Sequence, residues 1–255
     1  MYAAFTPAHR GGSGEPLVLL HGFLDTWRVW ELVLPALERR HDVLAPTLAG
    51  HAGGPRLAEV TDGAIADAVE RAMDEAGFAT AHLAGNSLGG HVALQLAARG
   101  RARSVVAFAP AGGHAEVLEL QSGMQEQARA AAPHAHALLA TPQGRRRATE
   151  LVTVNYEHIP VDLLAHQLLG AAGCGAAGPM IEHARHAGWP LEAEKIMCPV
   201  RIVWGTADRL LPYPAAAERF RRELPQADWV ELDGVGHAPQ LDVPLEAAEL
   251  ILGFT

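Results

Sequence analysis

The stretch His82-Leu83-Ala84-Gly85-Asn86-Ser87-Leu88-Gly89-Gly90 decides the fold. A short apolar run meets a glycine-rich turn, and helical periodicity resumes at once, with Leu88, Val92 and Leu96 spaced i, i+4, i+8. The pattern predicts a strand over 82–84, a sharp turn carrying Ser87, and a helix over 88–99. A serine on such a turn is forced into strained backbone. The residues two positions to either side must lack a side chain, or they would collide across the turn. A helix starting there turns free N–H groups and its positive dipole end toward any negative charge that forms beside the serine.

Working outward, Leu17-Val18-Leu19-Leu20 is a continuous apolar run, as a strand buried on both faces requires. Asp42-Val43-Leu44-Ala45, stopped by Pro46, is a second short strand. Helices are expected over 30–40, with Pro35 near the start or at a kink, and over 62–76, with Asp62 near the N-terminus. Downstream, strands are expected over 104–108, 200–204 and 229–232, and helices over 214–222 and 245–252. Strands alternating with helices imply an α/β architecture, a mostly parallel central sheet with helices on both faces. The rhythm breaks between 113 and 190. That stretch holds no convincing strand, is rich in Ala, Leu, Gln and His, and is punctuated by Pro133, Pro142, Pro160 and Pro179, which read as helix-ending. It reads as an all-helical cap inserted into the alternating domain. The expected organisation is a core of residues 1–112 and 191–255 and a cap of 113–190.

Composition narrows the function classes. The chain has 255 residues, 49% of them hydrophobic and 19% charged, enough for a full-sized core and unlike a disordered segment. The net charge is −9, so no basic field favours nucleic acid or anionic lipid. Aromatic residues make up 5%, with no stacking stripe for single strands. No apolar run approaches the roughly 20 residues of a membrane span. Residues 1–14 lack a secretory pattern. The two cysteines, Cys174 and Cys198, fit a reduced compartment. The expectation is a soluble cytoplasmic protein with a small-molecule substrate and neither a nucleic-acid nor a membrane partner.

A serine hydroxyl is a poor nucleophile until a base takes its proton. Of 14 histidines, His237 is best placed, in the loop Gly234-Val235-Gly236-His237-Ala238-Pro239 between the last strand and the last helix. Loops at strand C-terminal ends are where such sheets put their sites. A carboxylate must then fix the imidazole tautomer and stabilise its cation. Asp208, in Gly205-Thr206-Ala207-Asp208-Arg209 after the 200–204 strand, is the candidate, with Asp228, Asp233 and Asp242 as rivals. The strand after the serine turn ends in Ala109-Pro110-Ala111, without a carboxylate.

The order Ser87, Asp208, His237 resembles that of the α/β-hydrolase superfamily. His21-Gly22-Phe23-Leu24-Asp25 looks like that family's H-G oxyanion loop. Ala45-Pro46-Thr47-Leu48-Ala49-Gly50-His51-Ala52 looks like its P-x-L-x-G-H-G stretch, with Ala52 where Gly is common. The resemblance covers residues 15–112 and 196–252. It implies the α/β-hydrolase fold with a helical cap, and a catalytic triad of Ser87, His237 and Asp208. It also implies an oxyanion hole made by the backbone N–H groups of Phe23 and Leu88, and no metal or organic cofactor. The implied activity is a serine hydrolase acting through an acyl-enzyme on an ester-like bond of a small, largely apolar substrate. A C–C bond hydrolase or lactonase on the same triad is the alternative, although many C–C enzymes carry Trp after the histidine, where Ala238 stands here. A ligand receptor on the same fold is the alternative of another class. Epoxide hydrolases and haloalkane dehalogenases of the superfamily use Asp at the turn, so Ser87 argues against both.

Other features read as structural. His21 is expected as a loop-holding histidine, Arg145-Arg146-Arg147 as a solvated helix face, Cys174 as a small cap hydrophobe, and Trp27, Trp30 and Trp204 as core. Trp189 and Tyr156 are candidate pocket residues. His183 with His186, and His134 with His136, lack carboxylate or cysteine partners at metal-ligand spacing.

Overall fold

The computed structural model describes residues 4–112 and 115–255. Seven strands form one sheet in the order β1-β3-β2-β4-β5-β6-β7. They are β1 (Ala8–Gly12), β2 (Glu15–Leu20), β3 (His41–Pro46), β4 (Ala81–Asn86), β5 (Ala102–Phe108), β6 (Val200–Gly205) and β7 (Asp228–Leu232). Only β1 runs antiparallel, against β3; the other pairs are parallel. Strand β1 escapes sequence reading because its AHRGG sequence has no apolar run and lies at the sheet edge with alternate residues exposed.

Side-chain alternation divides the core. Val18, Leu20, Leu83, Val105, Ile202 and Trp204 enter one buried cluster, while Leu17, Leu19, Ala84, Val106, Phe108 and Val203 enter the other. On the first face lie α2 (Asp62–Glu75), capped by the Thr61 side chain, and α3 (Leu88–Ala98). On the second lies α1 (Leu34–Leu37), with the C-terminal helix described below. The helix expected over 30–40 is instead a 3-10 turn, Trp27–Trp30, followed by the single turn α1 with Pro35 in its first positions.

Between β5 and β6 the described chain is helical. It holds α4 (Ala115–Ala131), α5 (Ala135–Leu139), α6 (Pro142–Thr149), α7 (Val161–Gly173) and α8 (Ala177–Ala187). Residues 113 and 114, where the cap was expected to begin, lie outside the described residues. Pro179 does not end a helix. It sits in the first turn of α8, where the missing N–H has no intrahelical partner to lose. Arg145 is not solvated like Arg146 and Arg147; its guanidinium donates to the carbonyls of Tyr156, Glu157 and Ile159 and ties α6 to the chain that follows. Leu163 and Leu164 of α7 join the second core cluster, which seats the inserted helices on the sheet domain. After β6 come a 3-10 turn, Ala215–Ala217, and α9 (Glu218–Glu223); after β7 come α10 (Pro239–Asp242) and α11 (Pro244–Leu252). Among the described residues no helix is long and apolar enough to cross a membrane.

Candidate active site

The chain runs from β2 outward to β3, then crosses back to β4 on the other side of β2. Connections leaving β2 and β4 in opposite directions open a crevice at the C-terminal ends of these strands, where open α/β sheets bind ligands. Leu20, the last residue of β2, pairs with Gly85. The loop His21-Gly22-Phe23 is therefore brought beside Asn86-Ser87.

Ser87 sits between β4 and α3 at φ 55°, ψ −115°, a region that non-glycine residues rarely occupy. The strain is held from several sides. The Ser87 N–H donates to Phe108 O at 2.9 Å, and its carbonyl accepts from Ala111 N at 2.9 Å and His91 N at 3.0 Å. A β-carbon on Gly85 would run into the Gly89 carbonyl, and one on Gly89 into the Leu20 carbonyl, so the glycines meet the steric demand read from the sequence. The other described non-glycine residues with positive φ are Leu24 (68°), directly after Phe23, and Ala109 (40°), directly after β5. Backbone strain thus gathers on the three loops of one crevice, a placement typical of functional sites.

Asp208 and His237 meet on the same rim. His237 Nδ1 is 2.7 Å from Asp208 Oδ2, and both residues are buried. The other carboxylate oxygen, Oδ1, accepts from the N–H groups of Leu210 (2.9 Å) and Leu211 (2.7 Å), which fixes the carboxylate plane. The rival acids are engaged elsewhere. Asp228 pairs with Arg201, and Asp233 accepts from the Thr206 hydroxyl. Asp242 accepts backbone N–H groups from Gly236, Val154 and Asn155. A Cβ on Gly205 would strike the Val235 carbonyl, so glycine there lets the Asp208 turn and the His237 loop close on each other.

The structure does not hydrogen-bond Ser87 to His237. The Nε2 atom of His237 is buried without a partner. Catalytic hydrogen bonds are often long or misaligned before substrate binds. The two loops are nonetheless joined through Asn86. Its Nδ2 donates to His237 O at 2.9 Å and to Phe108 O at 3.1 Å, while its Oδ1 accepts from Gln240 Nε2 at 3.0 Å. Asn86 and Gln240 escaped sequence reading. A polar residue ending a strand that is buried throughout was the available signal for Asn86.

Leu88 is the first residue of α3, where N–H groups have no intrahelical acceptor. Phe23, Ser87 and Leu88 line one narrow cleft, closed over by Val117 and Gln121 of α4 and Met180 of α8. Trp189 also lines it, whereas Tyr156 packs in the second core cluster. The surroundings carry little positive charge. His21 is buried, and that burial, with His51 beside it, holds its imidazole well below the usual range; burial likewise lowers His51 to about 4. His21 Nε2 accepts from Leu48 N–H at 2.8 Å, a structural role as expected. Cys174 is buried and its thiol is pushed up to about 11 by that burial, so it is no nucleophile at neutral pH. Neither histidine pair forms a metal cluster: His183 bonds Asp62, and among the described residues no group of three ligands could hold a metal.

Strand order, elbow and crevice together are those of an α/β hydrolase. The chain belongs to the alpha/beta hydrolase family, whose sequence profile matches residues 17–250. It is similar to the epoxide hydrolase EphH of Mycobacterium tuberculosis, 35% identical over 198 residues that cover 74% of this chain and 92% of that protein. It is also similar to the pimeloyl-[acyl-carrier protein] methyl ester esterase of Aromatoleum aromaticum, 30% identical over 262 residues, 92% of this chain and 96% of that one. Among solved structures, a bacterial membrane phospholipase A superposes with a TM-score of 0.77 at 26% identity, covering 96% of this chain and 80% of its own.

Proposed function

We propose that the protein is a serine hydrolase that cleaves an ester-like acyl bond of a small, largely apolar substrate. His237 Nε2 takes the Ser87 hydroxyl proton as Oγ attacks the carbonyl carbon. The N–H groups of Phe23 and Leu88 hold the oxyanion, each such donor being worth about 3–4 kcal/mol of barrier. Asp208 holds the Nδ1–H tautomer and stabilises the imidazolium. Collapse returns the proton to the leaving alcohol. Water, deprotonated by the same Nε2, then releases the acid and restores Ser87. These steps balance with water as the only co-reactant.

The observation that carries this reading is the imidazole itself, bound at Nδ1 to Asp208 and buried with Nε2 uncommitted, on a loop tied to the residue before Ser87. The epoxide hydrolase name of one relative does not transfer. A serine oxygen opening an epoxide would leave an ether, which has no acyl carbon for water to attack, whereas on an ester it leaves a hydrolysable acyl-enzyme. Ser87→Ala is expected to lower kcat/KM on short p-nitrophenyl esters by at least about a thousandfold. A fluorophosphonate probe is expected to label the parent at Ser87. Equal turnover by the variant sinks the reading, and a folded parent that resists labelling favours a receptor instead.

A further inference from the structure

Helix α4 carries two glutamines one turn apart, Gln121 and Gln125, both more than nine-tenths buried. Their amides are used differently. Gln125 Nε2 donates to the carbonyls of Cys174 (2.7 Å) and Ala171 (3.2 Å), pinning α4 to the end of α7. Gln121 lines the Ser87 cleft, and its side-chain amide has no hydrogen-bond partner among the described residues. An amide offers two donors and an acceptor, and burying it without a partner is costly. A helix that needed only to fill space here would carry an apolar side chain, as Val117 and Met180 do in the same cleft. No charged side chain is among the described residues lining this cleft, so nothing there would neutralise a carboxylate or an ammonium group.

We infer that the Gln121 side-chain amide is the polar anchor of the substrate site. The preferred substrate then carries a neutral hydrogen-bonding oxygen (keto, hydroxyl or ether) on an otherwise apolar body. This rests on the ester-hydrolase reading of Ser87 and specifies its substrate class. A plain alkyl ester would fill the cleft while leaving the amide desolvated and unpaired. Sites built this way reject the analogue that lacks the oxygen more strongly than apolar pockets reject an extra one.

The test uses matched ester pairs that differ by one oxygen. One series varies the acyl part: p-nitrophenyl 4-oxopentanoate, 5-oxohexanoate and 6-oxoheptanoate, each against its plain alkanoate. The other compares 2-methoxyethyl with butyl butyrate. In the parent, at least one oxygen-bearing member is expected to show kcat/KM about three- to tenfold above its partner. Gln121→Met, which keeps the side-chain length and removes the amide, is expected to bring that ratio to one or below. Thermal unfolding of the variant confirms that it is folded. The same pairs are titrated calorimetrically into Ser87→Ala with and without Gln121→Met, where the preference is expected in Kd. A flat ratio throughout the parent series, or a preference that survives Gln121→Met, overturns the anchor. A parent that hydrolyses none of these esters, while Ser87→Ala binds them with the Gln121-dependent preference, overturns the ester-hydrolase reading and keeps the anchor.

Discussion

Asp208 with His237 and Asp62 with His91 are both buried aspartate–histidine pairs, and His91 lies one turn along α3 from Ser87. Each imidazole leaves its other nitrogen buried without a partner, His237 Nε2 and His91 Nδ1; the pairs differ in how their carboxylate oxygens are committed. Asp208 spends one oxygen on two backbone N–H groups of its own turn and the other on His237 Nδ1 at 2.7 Å. Asp62 opens α2 and is shared among three side chains. His183 of α8 lies at 3.0 Å from one oxygen; Gln95 at 2.5 Å and His91 at 3.4 Å surround the other. Burial pushes the Asp62 carboxyl up, but the hydrogen bonds from His91, His183 and Gln95 outweigh it and hold the group well below the usual carboxylate range. Beyond its contact with Asp62, the His91 ring stands edge-on to Trp189 at 5.0 Å rather than at the end of a loop. The first pair holds one imidazole on a loop bonded to the residue before Ser87. The second braces α2 and α3 of the sheet domain against α8 of the inserted helices. The same two residue types thus occupy different surroundings, one on crevice loops and one between packed helices.

The contrast can be broken most sharply with Asp208→Asn. It is expected to cut kcat/KM on a short ester by about a thousand- to ten-thousandfold, because the imidazole loses its tautomer control and the support for its cation. Asp62→Asn is expected to leave kcat/KM within about tenfold of the parent and to destabilise the fold by about 1–3 kcal/mol in denaturant titration. If Asp62→Asn silences turnover at unchanged stability, the two pairs are not different in kind. The pH dependence sharpens this. Because the folded Asp62 carboxyl titrates below its ordinary ~3.9, its contribution is complete above that value and is lost as pH falls toward the folded value. The stability gap between parent and Asp62→Asn should therefore narrow below about pH 4.

Asp25 supplies the smallest effect with the opposite sign. It has no histidine partner; its carboxylate accepts from Thr26 N–H at 2.8 Å and Gln167 at 3.2 Å, and burial pushes it up to about 7. The folded form holds its proton longer than the unfolded chain, so stability declines as pH rises from ~3.9 through about 7. Asp25→Asn is expected to melt a few degrees higher than the parent at pH 8, with the difference vanishing below pH 4.

What could be read in the sequence was local and steric. Gly85 and Gly89 are dictated by carbonyls that leave no room for a Cβ, and the strands read at 17–20 and 104–108 are covered on both faces. What could not be read depends on contacts between distant segments. Edge strand β1 is held by pairing with β3, not by apolar content. Arg145 is held by carbonyls eleven to fourteen residues away. His183 finds Asp62 across 121 residues of chain, which turned a weak metal candidate into a brace. Gln121 and Gln125 look alike in sequence, and only tertiary contacts separate an amide that ties helices together from one that faces the cleft.

The Asn86 side chain joins the end of β4, the His237 backbone and Gln240 of α10 in one buried knot. The floor of the crevice and its C-terminal wall are therefore joined, and swinging that wall outward would tear two hydrogen bonds at once. The roof is tied down away from the cleft, by His183 of α8 on Asp62 and by the Ala176 N–H on the Gly50 carbonyl, while Val117 and Met180 line the cleft itself. The Asn86 knot fixes the His237 loop in position relative to Ser87, the residue next to Asn86.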